Sequence, residues 1–297
     1  MTIRLGTRDS LLAMWQANTV ADALRGLGHA VEILSMKSEG DLVLDTPLPL
    51  MGGKGVFTKV LDDALLDGSI HIAVHSHKDI PTDATAGLRV AAVLEREDPR
   101  DALVARNGLE FLELETALIA TGSVRRAGQW LHRHPGHSTT DLRGNVPTRL
   151  KKLETSTWDG AIFALAGLKR LGLEHRATQI LDWMLPAPAQ GAVAVMCRAD
   201  DDATVEALEP LNHAATAASV RAERAFLNEL NGGCSAPVGA LAEWRDGRLA
   251  FRGNVLTPDG RDRYDISGEG DPADADAIGR DAARRILDLG AGWALRS

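Results

Sequence analysis

Six arginines stand where a strand has just ended or a helix is about to begin: Arg8, Arg125, Arg126, Arg143, Arg149 and Arg170. A guanidinium stays charged at any working pH and grips a carboxylate through two parallel hydrogen bonds, and helix N-terminal amides add to the pull on an anion. In an α/β sheet those strand ends face a cleft, so six arginines placed the same way point to a small polyanion. Arg125 and Arg126, about 100° apart around a helix, are expected to serve different anionic groups. Asp79 follows Lys78 and precedes Ile80-Pro81. It reads either as a turn-stabilising aspartate or as a carboxylate at the cleft mouth that hands on a proton and takes it back. Of the two cysteines, Cys197 lies in an apolar run and reads as a small buried hydrophobe. Cys234 lies in the loop Asn231-Gly232-Gly233-Cys234-Ser235-Ala236-Pro237, where it reads equally as a nucleophile, an attachment point or a bystander.

Other signals carry less. Gly52–Lys59 is glycine-rich but lacks the spacing of a phosphate loop, and no G-x-G-x-x-G follows the first strand. His71, His75 and His77, and likewise His132, His134 and His137, have no Cys or carboxylate at zinc-motif spacing beside them, so no metal is expected.

The elements that must position these residues alternate through the first two-thirds of the chain, which predicts α/β architecture. Strands are expected at Ile3–Thr7, Val31–Met36, Ile70–Val74, Leu118–Ala120, near Thr140–Leu142, at Gly160–Ala164 and at Ala192–Cys197. A helix capped by Ser10 should run to about Leu27, with Leu12, Trp15, Val20, Leu24 and Leu27 as its apolar stripe. Further helices are expected at about Phe57–Leu66, over Arg125 and Arg126, and from about Pro147. The charged stretch Glu95–Asp101 and the Pro/Gly-rich Leu185–Gly191 read as two crossings between lobes. From about Leu211 a long helix (Ala217–Leu230), a hairpin near Leu249–Leu256 and Arg263–Ser267, and a closing helix predict a smaller α+β domain. The expected domains are 1–95 with 192–210, then 96–191, then 211–297.

Composition narrows the class. The 297 residues carry 33 basic and 41 acidic side chains, net −8, with 44% hydrophobic and 25% charged residues. That is the profile of a soluble globular chain, too long for one core, and its acidic balance argues against a general nucleic-acid binder. Only seven of the basic residues are lysines, the other 26 being arginines. No eighteen-residue apolar run and no signal-peptide core are present, so no membrane partner and a cytoplasmic location are expected.

Taken in order, Arg4–Gln16 (RLGTRDSLLAMWQ), Gly53–Lys59 (GKGVFTK), Ala73–Pro81 (AVHSHKDIP), Thr121–Arg126 (TGSVRR), Asp141–Leu150 (DLRGNVPTRL), Ala166–Gly172 (AGLKRLG), Leu185–Gly191 (LPAPAQG) and Glu223–Gly239 (ERAFLNELNGGCSAPVG) resemble the porphobilinogen deaminase family. The resemblance spans nearly the whole chain and weakens after about Pro258. It implies two lobes like those of periplasmic binding proteins around a cleft, plus a third domain. It also implies a dipyrromethane cofactor joined by a thioether to Cys234, and no metal or nucleotide. The family joins four porphobilinogen molecules head to tail, releases ammonia each time, and hydrolyses the linear tetrapyrrole from the cofactor. Carried over by matched position, Arg8, Ser10, Arg125, Arg126, Arg143, Arg149 and Arg170 would hold cofactor and substrate carboxylates. Ser76, Lys78, Thr121, Ser123, Asn145, Gln190 and Gly191 would assist, and Asp79 would carry the proton chemistry. One active constellation implies a chain that shifts along the cleft between additions, in a monomer.

The sequence departs from the family's usual pattern at four positions. Gly122 stands where a second serine is common, and Ala189 where glycine is frequent beside Gln190. Met196 stands where polar residues are common, and His77 where apolar ones are. Two competing readings keep the cleft: a non-catalytic binding protein for an anionic ligand, and a transferase using Cys234 as a transient nucleophile with no stable adduct.

Overall fold

The computed structural model describes residues 2–37, 58–83, 85–231 and 236–295. Its strands are β1 Thr2–Arg8, β2 Ala30–Met36, β3 Ile72–Ser76, β4 Leu88–Val93, β5 Asp101–Ala105, β6 Leu118–Ala120, β7 Ser138–Thr140, β8 Gly160–Ala164, β9 Gln179–Ile180, β10 Val193–Arg198, β11 Val238–Arg245, β12 Arg248–Leu256 and β13 Arg263–Gly270. Its helices are α1 Leu11–Gly26, α2 Lys59–Leu66, α3 Val124–Arg133, α4 Val146–Thr155, α5 Leu165–Arg170, α6 Asp202–Leu208, α7 Ala214–Glu229 and α8 Ala275–Asp288.

The strands form three sheets, in the orders β2-β1-β3-β10-β4, β7-β6-β8-β5-β9 and β11-β12-β13. The first two repeat one plan. In each, three parallel strands are followed by one strand antiparallel to both its neighbours, β10 in the first and β5 in the second. Those inserted strands are the ones that follow the two crossings, so each lobe is closed by chain arriving from the other. Two α/β lobes and a smaller α+β unit are therefore the architecture.

Both faces of each lobe sheet are covered, as mixed sheets with crossover helices require. Along β10, Val193, Val195 and Cys197 pack with Leu5, Val20 and Leu24, while Ala194 and Met196 pack with Leu61 and Leu65 on the other face. The departure at Met196 is thus a core position. The α1 stripe differs from expectation. Val20 and Leu24 are buried with Ala13, Ala17 and Ala21, whereas Leu27 and Trp15 are exposed, because the close approach of α1 to its sheet selects alanine. In the third sheet α7 and α8 cover one face, with Phe226 against Phe251 at 5.2 Å between ring centroids.

Four strands carried no signal in the sequence: β4, β5, β9 and β11. β5 begins at Asp101, inside the charged stretch read as a crossing. Strand ends also shift, β3 taking in His75 and Ser76 and leaving His77–Asp79 as a single 3-10 turn.

The two crossings are tied to the third unit by one carboxylate. Glu223 on α7 is fully buried and receives Arg96 in a bidentate pair at 2.6 and 3.0 Å, the Ala189 N–H at 2.7 Å and the Ala242 N–H at 2.8 Å. Four donors on two carboxylate oxygens satisfy a charge that would otherwise be costly to bury.

Candidate active site

Strand ends bring the first group together. Arg8 closes β1, Ser76 closes β3, Asp79 follows in the 3-10 turn, and Ser10 caps α1 by accepting from the Ala13 N–H at 3.3 Å. Arg8, Ser10, Ser76 and Asp79 line one cavity of about 50 Å³ with His75 and Gln16. Gln16, which the sequence gave no reason to choose, is buried in α1 and donates from Nε2 to Ser76 Oγ at 2.8 Å. Burial, with Arg8 nearby, pushes the His75 imidazole down to about 4, so it is neutral at working pH.

The second lobe contributes from β6, α3, α4 and α5. Thr121 Oγ1 accepts from the Ser123 N–H at 3.3 Å, and Ser123 caps α3 by accepting from the Arg126 N–H. Gly122 stands between them, and a Cβ there would lie 2.7 Å from the Leu142 carbonyl oxygen, so this backbone has no room for the serine common in the family.

Arg125 and Arg126 do not stand as two cations facing solvent. Both are buried and share Asp101: Arg125 Nη1 lies 2.8 Å from Oδ2, and Arg126 donates to Oδ1 from Nε at 3.0 Å and Nη2 at 2.8 Å. Burial alone would raise the Asp101 carboxyl, but the two guanidiniums hold it down at about 2. Arg125 also donates to the Leu185 carbonyl and Arg126 to that of Ile162.

Gln190 joins the lobes at this point. Its Oε1 accepts from Lys78 Nζ at 3.0 Å, and its Nε2 donates to the Pro99 carbonyl at 2.7 Å and to Asp101 Oδ1 at 2.9 Å. Burial and Arg126 lower the Lys78 ammonium to about 8, with Asp79 and Asp101 pulling the other way. Gly191 has φ +86°, and a Cβ there would run into the Glu97 carbonyl, so only glycine fits. Ala189 holds φ +62°, a left-handed conformation in which its Cβ is strained and the family's usual glycine is not.

Arg149 donates from Nε to the Gly144 carbonyl at 2.6 Å, and burial together with Arg126 lowers its guanidinium to about 10, Asp79 opposing. Arg143 is buried in the same loop, and Arg149 feels its charge. Asn145 spends its side-chain oxygen capping α4, on the Thr148 N–H at 3.0 Å. Arg170 donates from Nη2 to the Gly191 carbonyl at 2.7 Å, lies 5.4 Å from the Trp15 ring centroid, and keeps a buried Nε with no hydrogen-bond partner among the described residues. Cys234 and the Gly52–Gly55 loop lie outside the described residues.

Lys78 of the first lobe and Arg149 of the second thus both feel the Asp79 charge, and Arg8 lines a cavity with it, at the sheet ends where α/β folds bind ligands. A family model described as "Porphobilinogen deaminase, dipyromethane cofactor binding domain" matches residues 3–206, and a second, "Porphobilinogen deaminase, C-terminal domain", matches residues 217–288. The chain belongs to the porphobilinogen deaminase family. A porphobilinogen deaminase of Syntrophomonas wolfei is 44% identical over 293 residues, covering 97% of this chain and 96% of that protein. One from Syntrophotalea carbinolica is 45% identical over 294 residues, covering 97% and 93%. The methionine-binding protein MetQ aligns with 71% of this chain and 89% of its own at 14% identity and a TM-score of 0.45. No helix among the described residues is long and apolar enough to cross a membrane.

Proposed function

We propose that the cleft around Asp79 carries out hydroxymethylbilane synthesis: four porphobilinogen molecules are condensed head to tail onto a dipyrromethane primer with loss of ammonia, and the linear tetrapyrrole is then released by hydrolysis. The observation that carries this reading is Asp79 flanked by Lys78 and Arg8 of one lobe and by Arg149 of the other, in a chain matched by the family along its length.

The donor set suits the primer. Every pyrrole unit bears an acetate and a propionate, and Arg170 offers a buried Nε that no described protein group uses. A buried donor left without a partner is costly, and a carboxylate would satisfy it. When bound through Cys234, dipyrromethane supplies a free pyrrole α-carbon as the nucleophile. Arg8, Ser10 and Ser76 on the first lobe, and Thr121, Ser123, Arg143, Asn145, Arg149 and Arg170 on the second, then bind and orient carboxylates. Arg125 and Arg126 contribute through the Asp101 cluster, which fixes a net positive charge beside Gln190 and Lys78.

Asp79 holds and moves the proton. Its carboxyl keeps the substrate amino group protonated for departure as ammonia, its carboxylate stabilises the cationic azafulvene left on that substrate, and it then takes the surplus proton from the new bond's α-carbon. General acid–base help of this kind is worth about 10²–10⁴-fold. Gln190 and Gly191 hold the crossing while the lobes adjust. We read the three sheets as three domains, 1–95 with 192–210, 96–191 and 211–297, in a monomer that works in the cytoplasm.

Intact-protein mass tests the reading. Freshly purified chain should exceed its sequence mass by one dipyrromethane, and Cys234→Ala should lack the increment. Asp79→Asn should keep the increment yet turn over about 10²-fold or more slowly. Native chain without the adduct, or Asp79→Asn with near-normal turnover, overturns the reading.

A further inference from the structure

Asp79 is held on both sides by a residue of another unit. Arg224, on α7 of the C-terminal unit, donates from Nη2 to the Pro81 carbonyl at 2.7 Å and from Nη1 to the Ile80 carbonyl at 3.0 Å and the His77 carbonyl at 3.4 Å. Those three carbonyls lie two residues before the aspartate, one after it and two after it. Within the first lobe the backbone of the turn is tied by the His77 N–H to the Ala192 carbonyl at 3.0 Å and by the Ile80 N–H to the His77 carbonyl at 3.3 Å. We propose that Arg224 is a positioning residue for Asp79, an inference that rests on the reading of Asp79 as the proton carrier.

Only a guanidinium suits this place. Its planar fork reaches three carbonyls in fixed directions while remaining charged, which the single ammonium of a lysine cannot reproduce. The His77 ring beside it is buried, and burial together with Arg224 keeps it neutral, so the ring adds no competing charge. Along α7, Arg224 is followed by five further helical residues and by the Leu230 cap, about 9 Å at 1.5 Å per residue. Cys234 comes four positions after that cap in the sequence. One rigid helix therefore grips the turn that carries the acid and leads into the loop that carries the attachment cysteine. The turn that carries the acid is thereby fixed to the C-terminal unit as well as to its own lobe.

Arg221 supplies the control. Three residues earlier on the same helix, it donates to the Pro272 carbonyl at 3.3 Å and lies 3.8 Å from Asp276, both inside the C-terminal unit. Holoenzyme is prepared as Arg224→Ala, Arg224→Lys, Arg221→Ala and Asp79→Asn, with rates expressed per adduct-bearing chain counted by intact mass. Arg224→Ala should lose kcat by about 10–100-fold, the range a misplaced group produces from a distance. Its KM should stay within about threefold, because carboxylate binding is untouched. The acid limb of its kcat–pH profile should move, and Arg224→Lys should recover part of both effects. Arg221→Ala should lower Tm and leave kcat and the profile unchanged.

Unchanged kcat and pH profile in Arg224→Ala overturn the inference, as does an equal loss in Arg221→Ala. If Arg224→Ala fails to fold, Arg224→Lys carries the test, and a wild-type kcat and profile there overturn it. Near-normal turnover by Asp79→Asn sinks the reading of Asp79 itself, whereas a strongly slowed Asp79→Asn beside a normal Arg224→Ala removes only the role of Arg224.

Discussion

Burial and Arg126 lower the Lys78 ammonium to about 8, so its charge disappears as pH rises before that of Arg149, which is lowered only to about 10. A group held below its usual 10.5 gives its charged contact below pH 8 and withdraws it above. In protein freed of cofactor, loading of porphobilinogen at low substrate should therefore slow by about tenfold between pH 7 and 9.5, the loss of one charge-assisted hydrogen bond. Lys78→Arg should flatten that dependence. A wild-type profile level through pH 8 would show that Lys78 touches no carboxylate. Asp101 runs the other way. Held at about 2 against an ordinary 3.8, it stabilises the fold above pH 4 and loses that contribution as pH falls through 2. Asp101→Asn should accordingly be less stable than wild type at pH 7 in urea, with the gap closing between about pH 4 and 2. A gap that held constant down to pH 2 would mean that the Asp101 charge contributes nothing.

At the scale of elements, Glu223 joins α7 to both crossings and to β11 through Arg96, Ala189 and Ala242. Its side chain is fully buried and that of Arg96 is 11% exposed. Removing one member leaves a buried charge without its partner, so Glu223→Ala should cost about 3–5 kcal/mol by urea denaturation. Replacing both partners by methionine should cost less than the single change, and an equal or greater loss would show that the pair does not act as a unit. The node also shows why the sequence was legible in some places and not in others. Leu118–Ala120 and Gly160–Ala164 were readable to the residue because each is a short apolar run bounded by turn formers. β5 was hidden because its first residue, Asp101, is a charge, and only the two arginines 24 and 25 positions later explain why a charge opens an apolar strand. Ser10 was legible as a helix cap, which its bond from the Ala13 N–H bears out, whereas Ser123 and Asn145 entered only through the resemblance and prove to cap α3 and α4. Gln16, Arg96, Glu223 and Arg224 looked like ordinary helix or loop residues. Their partners are distant in sequence, and no local spacing announces them.

Across the whole molecule, ties between the lobes differ in strength. At the crossing the tie is buried and charge-assisted: Gln190, anchored on Asp101 of the second lobe, accepts from the Lys78 ammonium of the first. Across the mouth, α1 meets α5 where the Arg170 guanidinium stands 5.4 Å from the Trp15 ring, which is 40% exposed. A cation–π contact at an exposed site is worth about 0.5–1 kcal/mol, less than a carboxylate offers a guanidinium. Substrate carboxylates should therefore draw Arg170 away from Trp15 while the crossings hold, so that the lobes part at the mouth and turn about Gln190-Gly191. Six tryptophans share the emission, so the signal is the difference between wild type and Trp15→Phe. Stepwise addition of porphobilinogen should change wild-type tryptophan emission with each unit added. In Trp15→Phe and Arg170→Leu most of that change should vanish. An identical response in wild type and Trp15→Phe would place the movement elsewhere than the mouth and remove the case for a pivot at the crossings.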